Sequence, residues 1–301
     1  MSKKVLITGG TGTVGKHLSQ LLTQKGYKVQ HLSRNPEQQS VYKTFKWDIE
    51  KKEIDAECIK GVDVIVHLAG AGIADKRWTD ERKEVLINSR TDSITLIYDL
   101  LKKYPHQVET VVSASAAGFY SDRGNQLMVE KDLPANDFLA DCCIKWEDAV
   151  DKAKGLGLRV VKFRTGVILD KESGALQKIA QPIKFGVGAP LGSGNQWISW
   201  IHLQDVIDMY VYGIENENLH GAYNMCSPYP LTNKALTKAI AKQLKKPLWL
   251  PNVPTFALNL ALGEMSAVVL GSTKMSTQKI EDAGFRFKFA DIKNALNYIY
   301  A

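Results

Sequence analysis

The chain predicts an α/β fold in which a doubly wound parallel sheet carries a small C-terminal cap. Three observations lead there. Apolar strand-like runs alternate with amphipathic helical patterns through the first half of the sequence, and that alternation implies parallel strands joined by right-handed helical crossovers. The strand runs are continuously apolar, as expected of a sheet covered on both faces. A glycine-rich turn lies between the first strand run and the first helix.

In order along the chain, Val5–Thr8 reads as a buried strand and Val14–Gln24 as the helix after it. Lys28–Leu32 is a second strand, Thr44–Trp47 a short third and Val62–Leu68 a fourth. Thr79–Lys103 has the length and periodicity of a long helix, Thr110–Ala114 is a fifth strand, Leu139–Lys154 another helix and Arg159–Phe163 a sixth strand. Beyond Leu169 the rhythm changes: glycine and proline crowd Gly186–Gly194, and helices at Asn233–Lys245 and Phe256–Leu270 follow no βαβ order. The expectation is one compact unit, with residues 1–169 as a nucleotide-binding core and 170–301 completing the core and capping it. No internal repeat or low-complexity linker interrupts it.

The 301 residues, 45% hydrophobic and 24% charged, suffice to bury roughly 75% of the unfolded surface without disulfide or metal staples. Cys58, Cys142, Cys143 and Cys226 show no metal-ligand spacing, and the absence of a leader-like start fits a reducing, cytoplasmic location. Val253–Leu270 is broken by Asn259, Gly263 and Glu264 and falls short of a membrane span, so no membrane is expected as a partner. The net charge of +7 raises nucleic acid as a partner. The densest basic run, Lys234, Lys238, Lys242, Lys245 and Lys246, instead reads as the solvated face of a helix, and no nucleic-acid-reading motif accompanies it.

The strongest signal is Gly9-Gly10-Thr11-Gly12-Thr13-Val14-Gly15. Gly9 permits a tight turn, Gly12 lets the backbone approach a pyrophosphate, and Gly15 lets helix pack on strand. Free amides and the positive end of the helix favour the phosphates. The position of the motif, between a strand and a helix, gives it its weight as a dinucleotide site of the Rossmann type. After the second strand comes Leu32-Ser33-Arg34, with no carboxylate to accept from ribose hydroxyls. Arg34 can pair with a 2′-phosphate through its planar fork and Ser33 can donate to it, so NADP(H) is the expected cofactor. Asp48, after the third strand, is a candidate for the adenine amine or for capping the next turn.

These residues, together with His67-Leu68-Ala69-Gly70, Ser113-Ala-Ser115 and Arg164-Thr-Gly-Val-Ile-Leu169, resemble the extended short-chain dehydrogenase/reductase superfamily. Arg77-Trp78, Ile87-Asn-Ser-Arg90, Lys145-Trp146-Glu147, Gly192-Ser-Gly194-Asn-Gln196, Ser199-Trp200-Ile201-His202 and Gly284-Phe285-Arg-Phe287 narrow the resemblance to its atypical epimerase-like subgroup, which includes the YfcH-type bacterial proteins. The resemblance implies an NAD(P)-binding protein acting on a small molecule, with the cap on the substrate side, and often a homodimer. It implies cofactor contacts from Leu68, Ala69, Gly70, Glu84, Arg90 and Ile168.

The superfamily's Tyr-x-x-x-Lys pair, which moves the proton while hydride is exchanged with nicotinamide, should fall at Leu139 and Cys143, counting back from Glu147. The pair is absent, a loss the subgroup shares. Ser115 matches the substrate-orienting serine; Tyr120 is the nearest phenol, and His202 can titrate near neutrality. These three are the candidate catalytic residues, and Gln196, Trp197 and Trp200 suit a pocket wall. The expectation is an oxidoreductase or epimerase-like enzyme of unknown substrate, with a non-catalytic NADPH sensor or regulator as the alternative.

Overall fold

A computed structural model describes residues 2–36 and 41–301. In chain order the first half contains β1 (Lys4–Thr8), α1 (Thr13–Gln24), β2 (Lys28–Ser33), β3 (Lys43–Asp48), β4 (Glu53–Ile54), β5 (Val64–His67), α2 (Asp80–Lys103), β6 (Thr110–Ala116), β7 (Leu127–Met128), α3 (Phe138–Asp151) and β8 (Arg159–Thr165). The second half contains β9 (Val167–Leu169), α4 (Gly174–Lys184), β10 (Trp197–Ile198), β11 (Trp200–His202), α5 (Leu203–Glu215), β12 (Gly221–Met225), β13 (Leu231–Thr232), α6 (Asn233–Gln243), α7 (Thr255–Leu262), α8 (Ala267–Leu270), β14 (Lys274–Met275), α9 (Gln278–Asp282) and α10 (Ile292–Ile299).

The main sheet runs β12-β8-β6-β5-β1-β2-β3-β4, all parallel except the short edge strand β4. Taking the parallel strands by chain order, the sequence is 3-2-1-4-5-6-7, the doubly wound arrangement whose direction reverses between β1 and β5. A ligand in such a sheet lies outside the carboxyl ends of the strands at that reversal. Side chains of the central strands divide between two cores. Val5, Ile7, Val64 and Val66 meet α1 and α5 on one face, while Leu6, Ile65, Val111 and Val160 meet α2 and α3 on the other. This two-sided burial is why those strands are apolar at every position.

One element contradicts the expected loss of βαβ rhythm after Leu169. The helix α5 crosses over to β12, which extends the sheet in parallel beside β8, Asn224 opposite Arg164. The sequence Gly221-Ala-Tyr-Asn-Met225 has too little apolar patterning to announce a buried strand. Phe256–Leu270 is likewise not one helix. Gly263, at φ +61°, ends α7 and a 3₁₀ turn leads into α8. The cap has its own core, in which α4, α6 and α10 share Leu176, Ala180, Ile183, Leu236, Ile240 and Leu296. No helix among the described residues is long and apolar enough to cross a membrane.

Candidate functional site

The turn after β1 is built by close approach. Thr8 Oγ1 accepts from the amides of Leu68 (3.1 Å) and Ala69 (3.0 Å), binding the end of β5 to the end of β1. Gly9 has φ +70°, and a Cβ there would lie 2.9 Å from the Leu68 carbonyl carbon. A Cβ on Gly15 would lie 2.3 Å from the Gly9 oxygen, and one on Gly10 would fall 2.6 Å from the His31 ring. His31 is itself held by Ser19 at 2.8 Å, and burial lowers its pKa to about 4. Because the Ser19 hydroxyl donates to the Gly15 carbonyl, His31 Nε2 must carry the proton between them.

Gly12 differs from the other three. Its φ of −75° suits any residue, and a Cβ would meet nothing nearer than the Gly9 oxygen at 3.4 Å. Nothing inside the protein requires glycine there, so the missing side chain keeps the outer face of the turn open. Thr11 and Gly12 are exposed. As N-cap of α1, Gly12 offers no side chain, and the first turn, which includes Thr13, Val14 and Gly15, holds no acidic residue. The amides at the positive end of α1 are thus left for an anion. The cap closes on this turn through Thr13, whose hydroxyl lies 2.8 Å from Ser173 Oγ at the start of α4; Ser173 in turn donates to Asp170.

Farther out, Ser33 Oγ accepts from the Asn35 amide at 3.1 Å. Arg34 is exposed and makes no ion pair or hydrogen bond with the described residues. Asp48 Oδ1 accepts from the Lys51 amide at 3.1 Å and so caps the turn after β3. Glu84 is exposed on α2. Arg90, a cofactor-contact candidate on α2, is half-buried against the start of the loop after β5. Its terminal nitrogens donate to the carbonyls of Leu86 (2.7 Å) and Ala71 (3.0 Å), and its guanidinium lies over Trp146. Gly70 leaves room for it, since a Cβ there would sit 3.1 Å from the guanidinium carbon. Ile168 lies half-buried on β9, opposite Ile201 of β11.

The positions of the missing Tyr–Lys pair are taken by groups without proton chemistry. Leu139 and Cys143 line α3 beside Gly118, and burial pushes the Cys143 thiol far up. The three substitutes named from the sequence are each buried and hydrogen-bonded within the protein. Ser115 is 3% exposed and donates to Glu147 Oε1 at 2.7 Å. Tyr120 is fully buried, donates to Asn224 Oδ1 at 2.8 Å and accepts from Arg164 at 3.0 Å; burial pushes its pKa up to about 12. His202 caps α5, its Nδ1 accepting from the Gln204 amide at 3.0 Å, with its ring 3.9 Å from that of Phe289. Burial lowers its pKa to about 4, so it is neutral near pH 7.

Ser115 and Tyr120 belong to one buried network. Arg164 grips Glu147 with two bonds, Nε to Oε1 at 2.8 Å and Nη2 to Oε2 at 3.0 Å, and Lys162 lies 3.3 Å from the same carboxylate. Burial alone would raise the Glu147 pKa, but Arg164 and Lys162 outweigh it and hold the carboxyl below its usual range. Sequence reasoning used Glu147 as part of a family motif and to locate the missing pair, not as a buried carboxylate, and left out Lys162 and Asn224. Two cations at alternate positions, Lys162 and Arg164, interrupting the apolar residues Val160, Val161 and Phe163 of a strand, were the available signal.

The cap meets the core across the strand ends. Arg77 donates to the Leu260 carbonyl at 2.8 Å, and Lys83 pairs with Glu264 at 2.6 Å. Gln196 donates to the carbonyls of Leu191 and Val269. Trp200 is wholly buried in the cap core, so of the two tryptophans only half-buried Trp197 can face a ligand. Trp78 and Phe138, rings 4.9 Å apart, form an apolar wall next to Leu139.

A reversal of strand order with an uncapped helix and a glycine cradle at its mouth defines a Rossmann-type nucleotide-binding protein. Residues 5–139 match the NAD-dependent epimerase/dehydratase family and residues 253–299 match a domain of unknown function, DUF1731. The chain is 37% identical to the epimerase family protein SAR0825 of Staphylococcus aureus over 298 residues, 98% of each chain. It is 35% identical to the epimerase family protein YfhF of Bacillus subtilis over 300 residues, 99% of this chain and 98% of that one. Human epimerase family protein SDR39U1, crystallised with NADPH, superposes with a TM-score of 0.87 at 26% identity, covering 98% of both chains. A nucleoside-diphosphate sugar epimerase of Corynebacterium glutamicum gives a TM-score of 0.81 at 30% identity, over 99% of this chain and 58% of the other. The chain belongs to this epimerase family, an atypical branch of the short-chain dehydrogenase/reductases.

Proposed function

We propose that the chain binds NADPH and uses it on a small molecule, without a proton-donating side chain of its own. The observation that carries the cofactor half is Gly12: an open turn at an uncapped helix end, where the protein itself has no need of glycine. Bound there, the pyrophosphate would rest on the first amides of α1, with Thr11 and Thr13 beside it. Arg34, exposed and without a protein partner among the described residues, with Ser33, would take the 2′-phosphate. Leu68, Ala69 and Gly70 would lie against the adenosine half, and Ile168 near the nicotinamide. NADPH would supply hydride. The crystallisation of SDR39U1 with NADPH supports the choice of the phosphorylated form.

Because Ser115, Tyr120 and His202 are engaged in structural bonds, the proton accompanying hydride would come from water or from the substrate. Trp78, Phe138 and Trp197 would orient that substrate, and the contacts of Arg77 and Lys83 with residues 260–264 would keep the cap closed over it. The filled positions of Leu139 and Cys143 favour a second reading, a non-catalytic NADPH sensor.

Titration of the intrinsic fluorescence with NADPH and NADH tests the first claim. NADPH should bind more tightly, and Arg34→Ala should remove the difference; equal affinities in the native protein would refute it. Following reduced-nicotinamide absorbance with carbonyl compounds and nucleotide sugars separates the readings, since turnover excludes the pure sensor.

A further inference from the structure

The positive charge of this protein is not spread over it. Residues 173–204 hold Lys178 and Lys184, and residues 218–263 hold Lys234, Lys238, Lys242, Lys245 and Lys246; neither stretch contains Asp, Glu or Arg. Setting these seven aside leaves 32 Lys and Arg against 32 Asp and Glu, so the whole net charge of +7 resides here. Both stretches belong to one layer of the cap, because α4 and α6 share a core through Ala180, Ile183, Leu236 and Ile240. All seven lysines are exposed, and none makes an ion pair among the described residues. Elsewhere some lysines do find carboxylates, as Lys25 does with Glu215 and Lys288 with Asp208.

Large apolar side chains stand out beside these cations. Phe185 is 77% exposed, Val187 55% and Trp249 69%. They share one edge, since Trp249 Nε1 donates to the Gly186 carbonyl at 2.9 Å. Lys184 directly precedes Phe185, and Lys245 and Lys246 shortly precede Trp249.

We propose that this edge of the cap docks the protein on an anionic lipid bilayer. Exposed Trp and Phe flanked by unpaired lysines are the chemistry of an interfacial contact. The rings enter the headgroup boundary, and the flexible lysine stems keep their ammonium groups among lipid phosphates and carboxylates. Nucleic acid fits less well, because its recognition favours the planar fork of arginine and both stretches lack that residue. The inference replaces the reading of the lysine row as a merely solvated face and does not depend on the cofactor.

Co-sedimentation with vesicles of equal parts phosphatidylserine and phosphatidylcholine, and with phosphatidylcholine alone, provides the test. The protein should pellet with the anionic vesicles only and be released by molar sodium chloride. Removing one lysine should weaken binding roughly fivefold, so Lys238→Ala, Lys242→Ala and Lys245→Ala together should weaken it about a hundredfold. Phe185→Ser with Trp249→Ser should weaken it at unchanged salt dependence. The lysine variant should keep the native melting temperature, since those side chains are exposed, and the aromatic variant, which also loses the Trp249–Gly186 bond, should remain folded with a slightly lower one. The proposal is overturned if the native protein stays in the supernatant, pellets equally with neutral vesicles, or pellets unchanged after the triple substitution. It is overturned in favour of nucleic acid if the triple substitution abolishes retention on duplex DNA while vesicle binding persists.

Discussion

Two glycines of the phosphate turn, three residues apart, should respond in opposite ways to the same added methyl group. At Gly15 the new Cβ would lie 2.3 Å from the Gly9 oxygen and 2.7 Å from the Gly10 Cα. Both are backbone atoms that cannot rotate away, so Gly15→Ala should cost about 3 kcal/mol through forced displacement of the turn. At Gly12 the Cβ meets only the Gly9 oxygen, at 3.4 Å, and φ is −75°. Gly12→Ala should therefore leave stability within about 1 kcal/mol of native, with some gain from a stiffer unfolded chain. Its methyl group would nevertheless stand where a pyrophosphate approaches the α1 amides. NADPH affinity should fall at least about tenfold, or about 1.4 kcal/mol. Urea unfolding gives the first quantity and fluorescence titration the second. A Gly12→Ala protein that is stable and binds NADPH as tightly as native would refute the placement of the pyrophosphate, and one that unfolds would refute the claim that this glycine is free of internal constraint.

Other consequences follow from the same contacts. Glu147→Leu strands Arg164 in the interior and leaves Lys162 only its pairing with Asp151 at 2.9 Å, and should cost about 3–5 kcal/mol in urea unfolding; a loss below about 1 kcal/mol would contradict the buried network. Tyr120→Phe removes a bond to Asn224 and one from Arg164 and should cost about 1–3 kcal/mol. Its NADPH affinity should be unchanged, and a fall in affinity would return Tyr120 to the site. Buried His31 and His202, both with pKa lowered to about 4, should make the fold acid-sensitive. Between pH 6.5 and about 4 the unfolded chain binds protons that the native state refuses, so stability falls as pH falls, by ~2 kcal/mol per histidine at pH 5. Melting temperatures from pH 7 to 5 should show this fall, and His202→Asn, which keeps a capping side chain, should flatten it.

Much of the architecture was legible because it is written in local pattern. The strands β1, β5, β6 and β8 and the helices α1 and α2 lie within two residues of their predicted bounds, since two-sided burial forces continuous apolar runs and a helix repeats its apolar face. The phosphate turn was legible for a related reason. Its glycines answer to backbone geometry within a few residues, and Gly9 and Gly15 are indeed too crowded for any side chain. By contrast β12 was not legible. Asn224 sits there fully buried, satisfied by Tyr120, Glu130, Met128 and Ser276, all more than 50 residues away or brought in from another strand.

The fate of the candidate catalytic groups lay equally outside the sequence. Serine, tyrosine and histidine carry the same chemical promise wherever they occur; their partners decide its use. Ser115 meets Glu147 and Tyr120 meets Asn224 across 32 and 104 residues, and His202 caps α5 with its ring against that of Phe289. The sequence by itself determined the doubly wound sheet, the glycine cradle and the loss of the Tyr–Lys pair, because each depends on neighbours along the chain. Only the tertiary structure decided which polar groups are consumed in holding the fold, because burial and hydrogen-bond partners are set by contacts between distant segments.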